Sequence, residues 1–367
     1  MEEWFTGHSQ MVCLLLSWNC PAACRHCGYH CAPQKGPAIT ADQAKRVIDG
    51  ARQLPMITGI GWAGGEPFLH YALMLELTHY VKQTCGFPLA ISTNAYWATS
   101  RERAREMLLP LVDSGLRGLL VSVDDFHLEF VPPERIENCV HAAVELGLQC
   151  HLQSIVTRTS RGVEDFKRLL KLPSPSPLIQ WHEGPCKPTG RAEELARANE
   201  LPFPWRNRPD ACSMLKTWIV NPCGDISPCC GVPFDGLREI GNAFRQPLAD
   251  IVNRANVDPV LNALAAYGGP YLLIELLARH GVTSYAQRSY TCNCHACQAV
   301  LSDAHAMALI EDELQEHALE LIASRVLAHE QRWGKQAVEP EAGLWVPDLW
   351  SKPCPDGKAP DGPSIAE

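Results

Sequence analysis

The sequence predicts an α/β protein in which six strand–helix units form an open (β/α)6 partial barrel, followed by a small cysteine-rich domain of a β-hairpin plus helices. In the first half, short apolar runs alternate with helix-like segments at a spacing of about thirty residues, which predicts parallel strands joined by right-handed crossovers. A second observation is that several of the 17 cysteines form two groups, one near the N-terminus and one after the predicted barrel.

The predicted strands are apolar runs bounded by turn residues. They span 11–17, 57–63, 88–93, 118–124, 149–156 and 177–182. The predicted helices span 41–54, 71–85, 100–114, 133–147 and 162–171. Thr40 is a suitable N-cap for the first helix, and Pro132-Pro133 opens the fourth. In such sheets ligands bind at the carboxyl ends of the strands, so the residues that follow each strand are candidates for a site.

These patterns divide the chain into segments. Residues 1–205 form the predicted barrel, and 206–300 form the cysteine-rich domain with an apolar, helical insertion at 255–282 that is broken at Gly268-Gly269-Pro270. A C-terminal helix is predicted over 301–336, and a Pro-rich tail follows at 337–367.

Composition excludes two classes of partner. A net charge of −9 over 367 residues argues against a nucleic-acid partner, which needs a basic face. No apolar run approaches the ~18 residues that span a bilayer, so no membrane partner is expected. The start Met1-Glu2-Glu3-Trp4 is acidic and has no apolar signal-peptide core. We therefore expect a cytoplasmic protein whose cysteines bind metal and do not form disulfides.

Three cysteines directly after the first strand carry most of the functional information. Cys20, Cys24 and Cys27 form a CxxxCxxC loop. Three thiolates on one short loop can hold three corners of a four-iron cluster and leave one iron open for chemistry. Zinc is the alternative, in which Cys31 or His30 would complete a tetrahedral site.

A second motif, Gly64-Gly65-Glu66-Pro67, follows the second predicted strand. Together the two motifs resemble the radical S-adenosylmethionine (SAM) superfamily. The resemblance implies a partial TIM barrel in which the cysteine loop binds a [4Fe-4S] cluster, with SAM chelating the open iron and the glycine motif holding the amino group of SAM. One departure is His26, at a position where the family usually has an aromatic ring; histidine is flat and can still stack near an adenine.

Short polar clusters follow the third and fourth strands. They are Ser92-Thr93-Asn94 and the run from Ser122 to His127. Taken alone, such residues favour helix caps and turns. The resemblance implies that matching positions contact the ribose and the methionine carboxylate of SAM. The candidates are Ser92, Asn94, Ser122 and Asp124.

Other polar residues near the predicted mouth of the barrel are candidates for acid–base chemistry or anion binding. Asp125, His127 and Glu129 could transfer protons, although His127 could equally be a hydrogen-bonded structural residue. Arg158, after the fifth strand, could pair with the SAM carboxylate as a bidentate cation, or be solvated.

The second cysteine group follows the predicted barrel. The run from Pro185 to Ala192 resembles the Gly-Arg-Ala turn of radical SAM proteins that carry an additional cluster domain. Further along, Asn221 to Gly224 is predicted to be a hairpin turn. The cysteines on either side of that turn and the later Cys292-Asn293-Cys294-His295-Ala296-Cys297 resemble the SPASM family of auxiliary-cluster domains, and more closely its short form, the twitch domain.

The resemblance implies one auxiliary [4Fe-4S] cluster. Its four predicted ligands are Cys212, Cys229, Cys294 and Cys297. Cys292, Cys223 and Cys230 are near enough in sequence to substitute, and zinc is the rival metal because CxxC pairs suit it.

The resemblance also implies a reaction. A radical SAM enzyme takes an electron from a donor such as flavodoxin or ferredoxin, cleaves SAM to a 5′-deoxyadenosyl radical and abstracts a substrate hydrogen. An auxiliary cluster would accept an electron from the substrate radical, which favours oxidation or crosslinking. We expect a ribosomal peptide as substrate. The alternatives are a dehydrogenase or tailoring enzyme of a small alcohol, sugar or aminocyclitol, and a non-catalytic Fe–S or zinc protein.

Overall fold

A computed structural model describes residues 10–173, 175–201, 212, 215–229, 240–265, 268–316 and 320. One eight-stranded sheet runs through it in the order β6-β5-β4-β3-β2-β1-β7-β8. The strands are β1 (Gln10–Leu15), β2 (Ile57–Ala63), β3 (Leu89–Thr93), β4 (Leu116–Ser122), β5 (Gln149–Val156), β6 (Ile179–Pro185), β7 (Leu215–Val220) and β8 (Ile226–Cys229).

The strands β1 to β6 are the six parallel strands that the sequence predicts. Each pairs in parallel with its sequence neighbour, so all six carboxyl ends lie at one edge. The second and fifth strands match their predicted ranges, and the other predicted boundaries lie within three residues of the observed ones. The predicted (β/α)6 fold is confirmed.

The helices of this half are α1 (Ala41–Ala51), α2 (Tyr71–Thr84), α3 (Arg101–Asp113), α4 (Asp125–Leu128), α5 (Pro133–Glu145), α6 (Val163–Leu169) and α7 (Ala192–Arg197). Thr40 caps α1 as predicted, since its hydroxyl accepts from the amide of Gln43 and the Gln43 side chain reaches back to the amide of Thr40. Pro133 is the first residue of α5, where the missing N–H has no cost. The first helix ends at Ala51, three residues earlier than predicted.

The two faces of the strands differ in character. Val12, Leu14 and Trp62 are buried in the main apolar core, and the indole N–H of Trp62 donates to Thr78 on α2 at 2.9 Å. On the other face of β2, a side chain at Gly61 would meet the sulfur of Cys13 at 3.4 Å. This second face therefore has room only for small side chains at that point.

The second half begins with an antiparallel hairpin, β7–β8. Its turn is the predicted one, and the side-chain oxygen of Asn221 accepts from the amides of Cys223 and Asp225. Strand β7 also pairs in parallel with β1. The hairpin, which the sequence assigned to the second domain, therefore belongs to the same sheet as the barrel.

Five helices follow the hairpin: α8 (Leu248–Asn256), α9 (Pro259–Ala265), α10 (Pro270–Arg279), α11 (Asn293–Leu301) and α12 (Ala304–Glu316). The apolar insertion starts earlier than the predicted residue 255, because α8 begins at Leu248. The break at Gly268-Gly269-Pro270 is present, with Gly269 at φ 52° directly before α10. For the C-terminal helix, only α12 and residue 320 are described, and the predicted tail 337–367 lies outside the described residues.

Within the described residues, no single helix has the length and apolarity to cross a bilayer. The pair α9 and α10 meets those criteria jointly, with a bend of 114° between them.

Candidate active site

A cavity of about 210 Å³ lies where the cysteine loop meets the carboxyl ends of the strands. Three parts of the chain line it: the loop after β1, the ends of β2 to β4, and a residue from the segment after β6. The lining residues include Cys20, Cys24, His26, Cys27, Cys31, Gly64, Gly65, Ser92, Thr93, Asn94, Ser122, His127 and Arg191. Most of the residues that the sequence proposed for cofactor binding therefore share one cavity.

The cysteine loop is held by backbone hydrogen bonds. The amide of Cys20 donates to Ala32, and that of Cys27 donates to Cys24, both at 3.1 Å. Cys20 and Cys24 are 7% and 5% exposed. Burial raises the pKa of Cys20 to about 12 and also raises the pKa of Cys24. A metal cluster supplies the positive charge that buried thiolates need, so this donor set fits an iron–sulfur cluster.

Cys27, the third cysteine of the loop, has Cys31 as a hydrogen-bond partner. The sequence analysis considered Cys31 only as a zinc ligand. The thiol of Cys31 donates to Cys27, which lowers the pKa of Cys27 to about 5 despite its burial. Cys31 is 3% exposed and lines the same cavity. Four thiols therefore lie around this site.

The glycines of the second motif allow two loops to touch. A Cβ on Gly65 would lie 2.0 Å from the carbonyl oxygen of Asn19. In return, the amide of Gly65 donates to Ser17 at 2.7 Å and the amide of Glu66 donates to Asn19 at 2.9 Å. Gly64 and Gly65 thus place the end of β2 directly against the cysteine loop.

Glu66 turns away from the cavity and joins β2 to β3. Its carboxylate accepts from the hydroxyl of Thr93 and the amide of Asn94, both at 2.8 Å, and from the amide of Phe68 at 3.2 Å. Burial raises the pKa of Glu66 to about 7, against the effect of these donors. Pro67 begins a short 3-10 helix, Pro67–His70. The acidic residue of the motif thus positions the strand end that carries Asn94.

Asn94 is the strand-end residue in direct contact with the cysteine loop. Its side-chain amide donates to the sulfur of Cys20 at 3.6 Å, and the residue is 5% exposed. Ser92 and Ser122 line the cavity on the neighbouring strands. Thr93, which the sequence quoted but did not select, also lines it and holds Glu66.

Asp124 lies behind His127 and supports it. The carboxylate accepts from the backbone amide of His127 at 3.0 Å and contacts its ring Nδ1 at 2.8 Å. Burial would lower the pKa of His127, but the Asp124 carboxylate raises it overall. Because Nδ1 faces Asp124, Nε2 is the nitrogen of His127 that is left for the cavity.

His26 packs against the ring of Phe126, with centroids 4.6 Å apart, and against the edge of His127 at 4.9 Å. Burial lowers the pKa of His26 to about 4, so its 3.8 Å approach to Asp124 is a contact of a neutral ring and not an ion pair. Ligand atoms of Cys24, His26 and His127 lie within 4.8 Å of one another.

Two candidates lie away from the cavity in the described structure. Asp125 pairs with Arg161, whose Nε and backbone amide donate to the carboxylate at 2.6 and 2.8 Å. The Nε of Arg158 donates to the carbonyl of Leu201 at 2.7 Å. Their proposed roles in proton transfer and SAM binding stay predictions.

Arg191 is a site residue that the sequence analysis did not select. Its guanidinium donates to the carbonyls of Cys24 at 2.9 Å and Cys31 at 2.7 Å, and its amide donates to Cys27 at 3.1 Å. The preceding Gly190 has φ 57°, and a Cβ there would lie 2.4 Å from the carbonyl oxygen of Gly28. The Gly-Arg-Ala turn was the available signal, but only the fold shows that it contacts the cysteine loop.

The second cysteine group is distributed over two elements: Cys229 ends β8, and Cys294 and Cys297 lie in α11. Burial raises the pKa of Cys297, and the charges of Cys212, Cys294 and Cys229 raise it further. The assignment of these four residues as ligands stays a prediction. The thiol of Cys292 donates a hydrogen bond to Cys294, so Cys292 is the nearby substitute. Cys223 is exposed in the hairpin turn, and Cys230 lies outside the described residues.

Comparisons with known proteins support the assignment of the cysteine loop and the glycine motif. Residues 16–172 match the family model of the Radical SAM superfamily. Over 152 residues the chain is 23% identical to the putative peptide biosynthesis protein YydG of Bacillus subtilis (strain 168). That match covers 41% of this chain and 47% of YydG, so it spans about half the length of the curated relative.

Two solved structures are similar at low identity. SuiB of Streptococcus suis bound to S-adenosylmethionine is 16% identical, with a TM-score of 0.46, over 66% of this chain and 65% of SuiB. BtrN in complex with AdoMet and 2-DOIA is 14% identical, with a TM-score of 0.41, over 66% of this chain and 81% of BtrN.

The cysteine loop, the glycine motif and the family match define a radical SAM domain. Residues 16–172 are similar to the radical SAM superfamily, which supports the resemblance drawn from the two N-terminal motifs. The match of this domain implies a [4Fe-4S] cluster together with SAM.

Proposed function

We propose that the chain is a radical SAM enzyme that oxidises or crosslinks a ribosomally made peptide, with an auxiliary cluster at its second cysteine group. The observation that carries the radical SAM part is the meeting of three loop thiols, Gly64-Gly65 and Asn94 around one cavity. When bound, the cluster and SAM would supply one-electron chemistry capable of activating a C–H bond.

The residues of the chain have distinct tasks in this proposal. Cys20, Cys24 and Cys27 would hold the cluster, and Arg191 keeps their loop in place through the carbonyl of Cys24. Asn94 donates to the sulfur of Cys20, and a hydrogen bond of this kind tunes a cluster ligand. Gly64 and Gly65 bring the end of β2 against the loop and line the cavity in which SAM would bind.

His127 is the acid–base candidate in the cavity. Asp124 holds its ring through Nδ1, in the way a carboxylate orients a catalytic histidine. We propose that Nε2 of His127 takes up or delivers a proton at the substrate. Asp125 is the weaker candidate because Arg161 occupies its carboxylate.

The oxidative part of the proposal rests on the second cysteine group. The charges of Cys212, Cys229 and Cys294 act on Cys297, and four protein thiolates can close a cluster that only transfers electrons. The peptide part is supported by the name of the relative YydG. The alternative substrate, a small alcohol, sugar or aminocyclitol, would use the same two sites.

The first experiment measures iron and acid-labile sulfide per chain after anaerobic reconstitution. We expect about eight irons in the wild type and about four in a Cys20/Cys24/Cys27→Ala variant. If the wild type instead holds about four irons and the variant none, the second cysteine group binds zinc or no metal. Cys85→Ala is the control, because this thiol lies at the end of α2, opposite the cavity end of the sheet.

The second experiment tests catalysis. With SAM and a reductant such as flavodoxin, the wild type should release 5′-deoxyadenosine and the Cys20/Cys24/Cys27→Ala variant should not. A non-catalytic Fe–S or zinc protein would release none. A peptide encoded beside the gene should lose two hydrogens by mass spectrometry, whereas turnover of an aminocyclitol or sugar alcohol alone would favour the alternative.

A further inference from the structure

Cys24, His26 and His127 bring three metal-binding side chains to one point of the cavity. One ligand atom from each residue lies within 4.8 Å of the other two. Two ligand atoms on a single tetrahedral zinc ion are roughly 3.3–3.6 Å apart, because Zn–S bonds are about 2.3 Å long and Zn–N bonds about 2.0–2.1 Å. A closure of about 1.5 Å or less would therefore bring all three atoms onto one ion.

The carboxylate of Asp124 faces one nitrogen of each histidine ring. Its Oδ1 contacts Nδ1 of His127 at 2.8 Å, and its Oδ2 lies 3.8 Å from Nε2 of His26. This arrangement leaves Nε2 of His127 and Nδ1 of His26 for a metal. Histidines that bind metals commonly direct their second nitrogen to a carboxylate, which fixes the tautomer and the orientation of the ring. Here one carboxylate faces two rings.

Two buried polar atoms at this point have no hydrogen-bond partner among the described residues. They are Nδ1 of His26 and Oδ2 of Asp124, and the side chain of Asp124 is only 1% exposed. Leaving a buried polar group unsatisfied costs about 1–3 kcal/mol, so such atoms are rare in native proteins and an ion is one explanation for them. A cation bound to Nδ1 of His26 would satisfy that atom and would strengthen the attraction between the ring and Asp124.

The charges of this group match a divalent cation. The Cys24 thiolate and the Asp124 carboxylate supply two negative charges, and both side chains are buried. One thiolate and two imidazoles suit zinc, with a water molecule at the fourth position. We propose that Cys24, His26 and His127 bind one Zn²⁺ ion when the iron–sulfur cluster is absent, and that Asp124 is the positioning residue for both histidines. On binding, the thiol of Cys24 releases its proton to solvent.

Zinc and the cluster exclude each other at this site, because both use the sulfur of Cys24. Zinc also occupies Nε2 of His127, the nitrogen to which the proposed function assigns proton transfer. The zinc-loaded chain is therefore an inactive form, and removal of zinc must precede cluster assembly. Zinc binding itself is independent of the proposed function, whereas this competition rests on the cluster proposed for the cysteine loop.

The test measures zinc per chain, and zinc affinity by competition with a chelator, on the metal-free full chain under anaerobic conditions. The Cys20/Cys27→Ala variant keeps Cys24 but lacks two of the three cluster ligands. It should bind one zinc ion more than the Cys20/Cys24/Cys27→Ala variant, and adding His127→Gln should remove that ion. Adding Asp124→Asn instead should weaken its binding by about 10–100-fold.

His141→Gln in the same background is the matched control. The ring of His141, on α5, contacts the carbonyl of Lys171, and the residue does not line the cavity. This variant should bind the additional zinc ion with unchanged affinity. Urea unfolding of the metal-free proteins checks that each variant is folded; should His127→Gln be unfolded, His26→Gln removes a ligand in its place.

Equal zinc counts in the two cysteine variants would refute the inference and leave the proposed iron counts untouched. An additional ion that stays at full affinity in both His127→Gln and Asp124→Asn would refute it as well. For the competition, zinc loaded before reconstitution should suppress the uptake of about four irons in the wild type and not in His127→Gln. Equal suppression in both proteins would overturn the competition. A wild type without a cluster at the cysteine loop would refute the proposed function, while the zinc difference would still support this site.

Discussion

The guanidinium of Arg191 donates to the backbone carbonyl of Cys24 at 2.9 Å, across 167 residues of sequence. This contact joins the end of the sixth strand–helix unit to the loop that follows the first strand. Since an open barrel has no seventh and eighth units to close it, such a contact restrains the cysteine loop from the far side of the sheet.

Arg191→Gln should loosen the cysteine loop. Hydrogen bonds from a charged donor contribute roughly 1.5–3 kcal/mol, so we expect a loss of that size in the unfolding free energy of the apoprotein, together with lower iron incorporation. Urea unfolding and iron analysis measure the two effects. Arg197→Gln is the matched control, because Arg197 is 73% exposed and forms only an i,i+4 pair with Glu193. Equal losses in both variants would contradict a specific role for Arg191.

Gly190→Ala should disturb the site more than the same change at another left-handed glycine. Left-handed backbone alone costs about 1–2 kcal/mol for alanine. At Gly147, with φ 76° and open space, we expect that cost and nothing more. At Gly190 the new Cβ also meets the carbonyl of Gly28, so stability should fall further and iron incorporation should decrease. Thermal unfolding of the two variants measures the difference. Equal losses of stability in Gly190→Ala and Gly147→Ala would contradict the close approach of Gly190 to the carbonyl of Gly28.

The raised pKa of Glu66 predicts that the stability of the protein depends on pH. Its pKa is raised by burial from 4.5 to about 7, so the folded state binds a proton more tightly than the unfolded state. Stability from this group is therefore present at low pH and lost as the pH rises through about 7. Relative to Glu66→Gln, the wild type should lose roughly 3 kcal/mol of unfolding free energy between pH 4.5 and 7.5. Urea unfolding at several pH values measures this loss. If the difference in unfolding free energy between the wild type and Glu66→Gln stays constant from pH 4.5 to 7.5, the prediction is wrong.

The ligand set of the second cysteine group can be tested by single substitutions. Cys297→Ser should lower the iron content from about eight to about four per chain, because Cys297 is one of the four proposed ligands of the auxiliary cluster. Cys223→Ser should leave the iron content unchanged, since this residue is exposed in the hairpin turn. A fall with Cys223→Ser and none with Cys297→Ser would require a different ligand set.

The strands and helices of the first half could be predicted because their signals are local. Apolar runs such as that of β2, the capping residue Thr40 and the helix-opening Pro133 each act within a few residues of chain. The cysteine loop and the glycine motif were found for the same reason, since each keeps its chemistry in four to eight consecutive residues.

The sequence by itself determined the class of the fold, the cysteine loop and the resemblance of residues 16–172 to the radical SAM superfamily. Only the tertiary structure decided which residues act on that loop: Glu66 holds the strand end of Asn94, Arg191 holds the carbonyl of Cys24, and β7 pairs with β1. These pairs are 28 to 206 residues apart, so no short-range pattern in the sequence predicts them. Their geometry depends on where the crossovers place the strand ends, which is a property of the packed sheet.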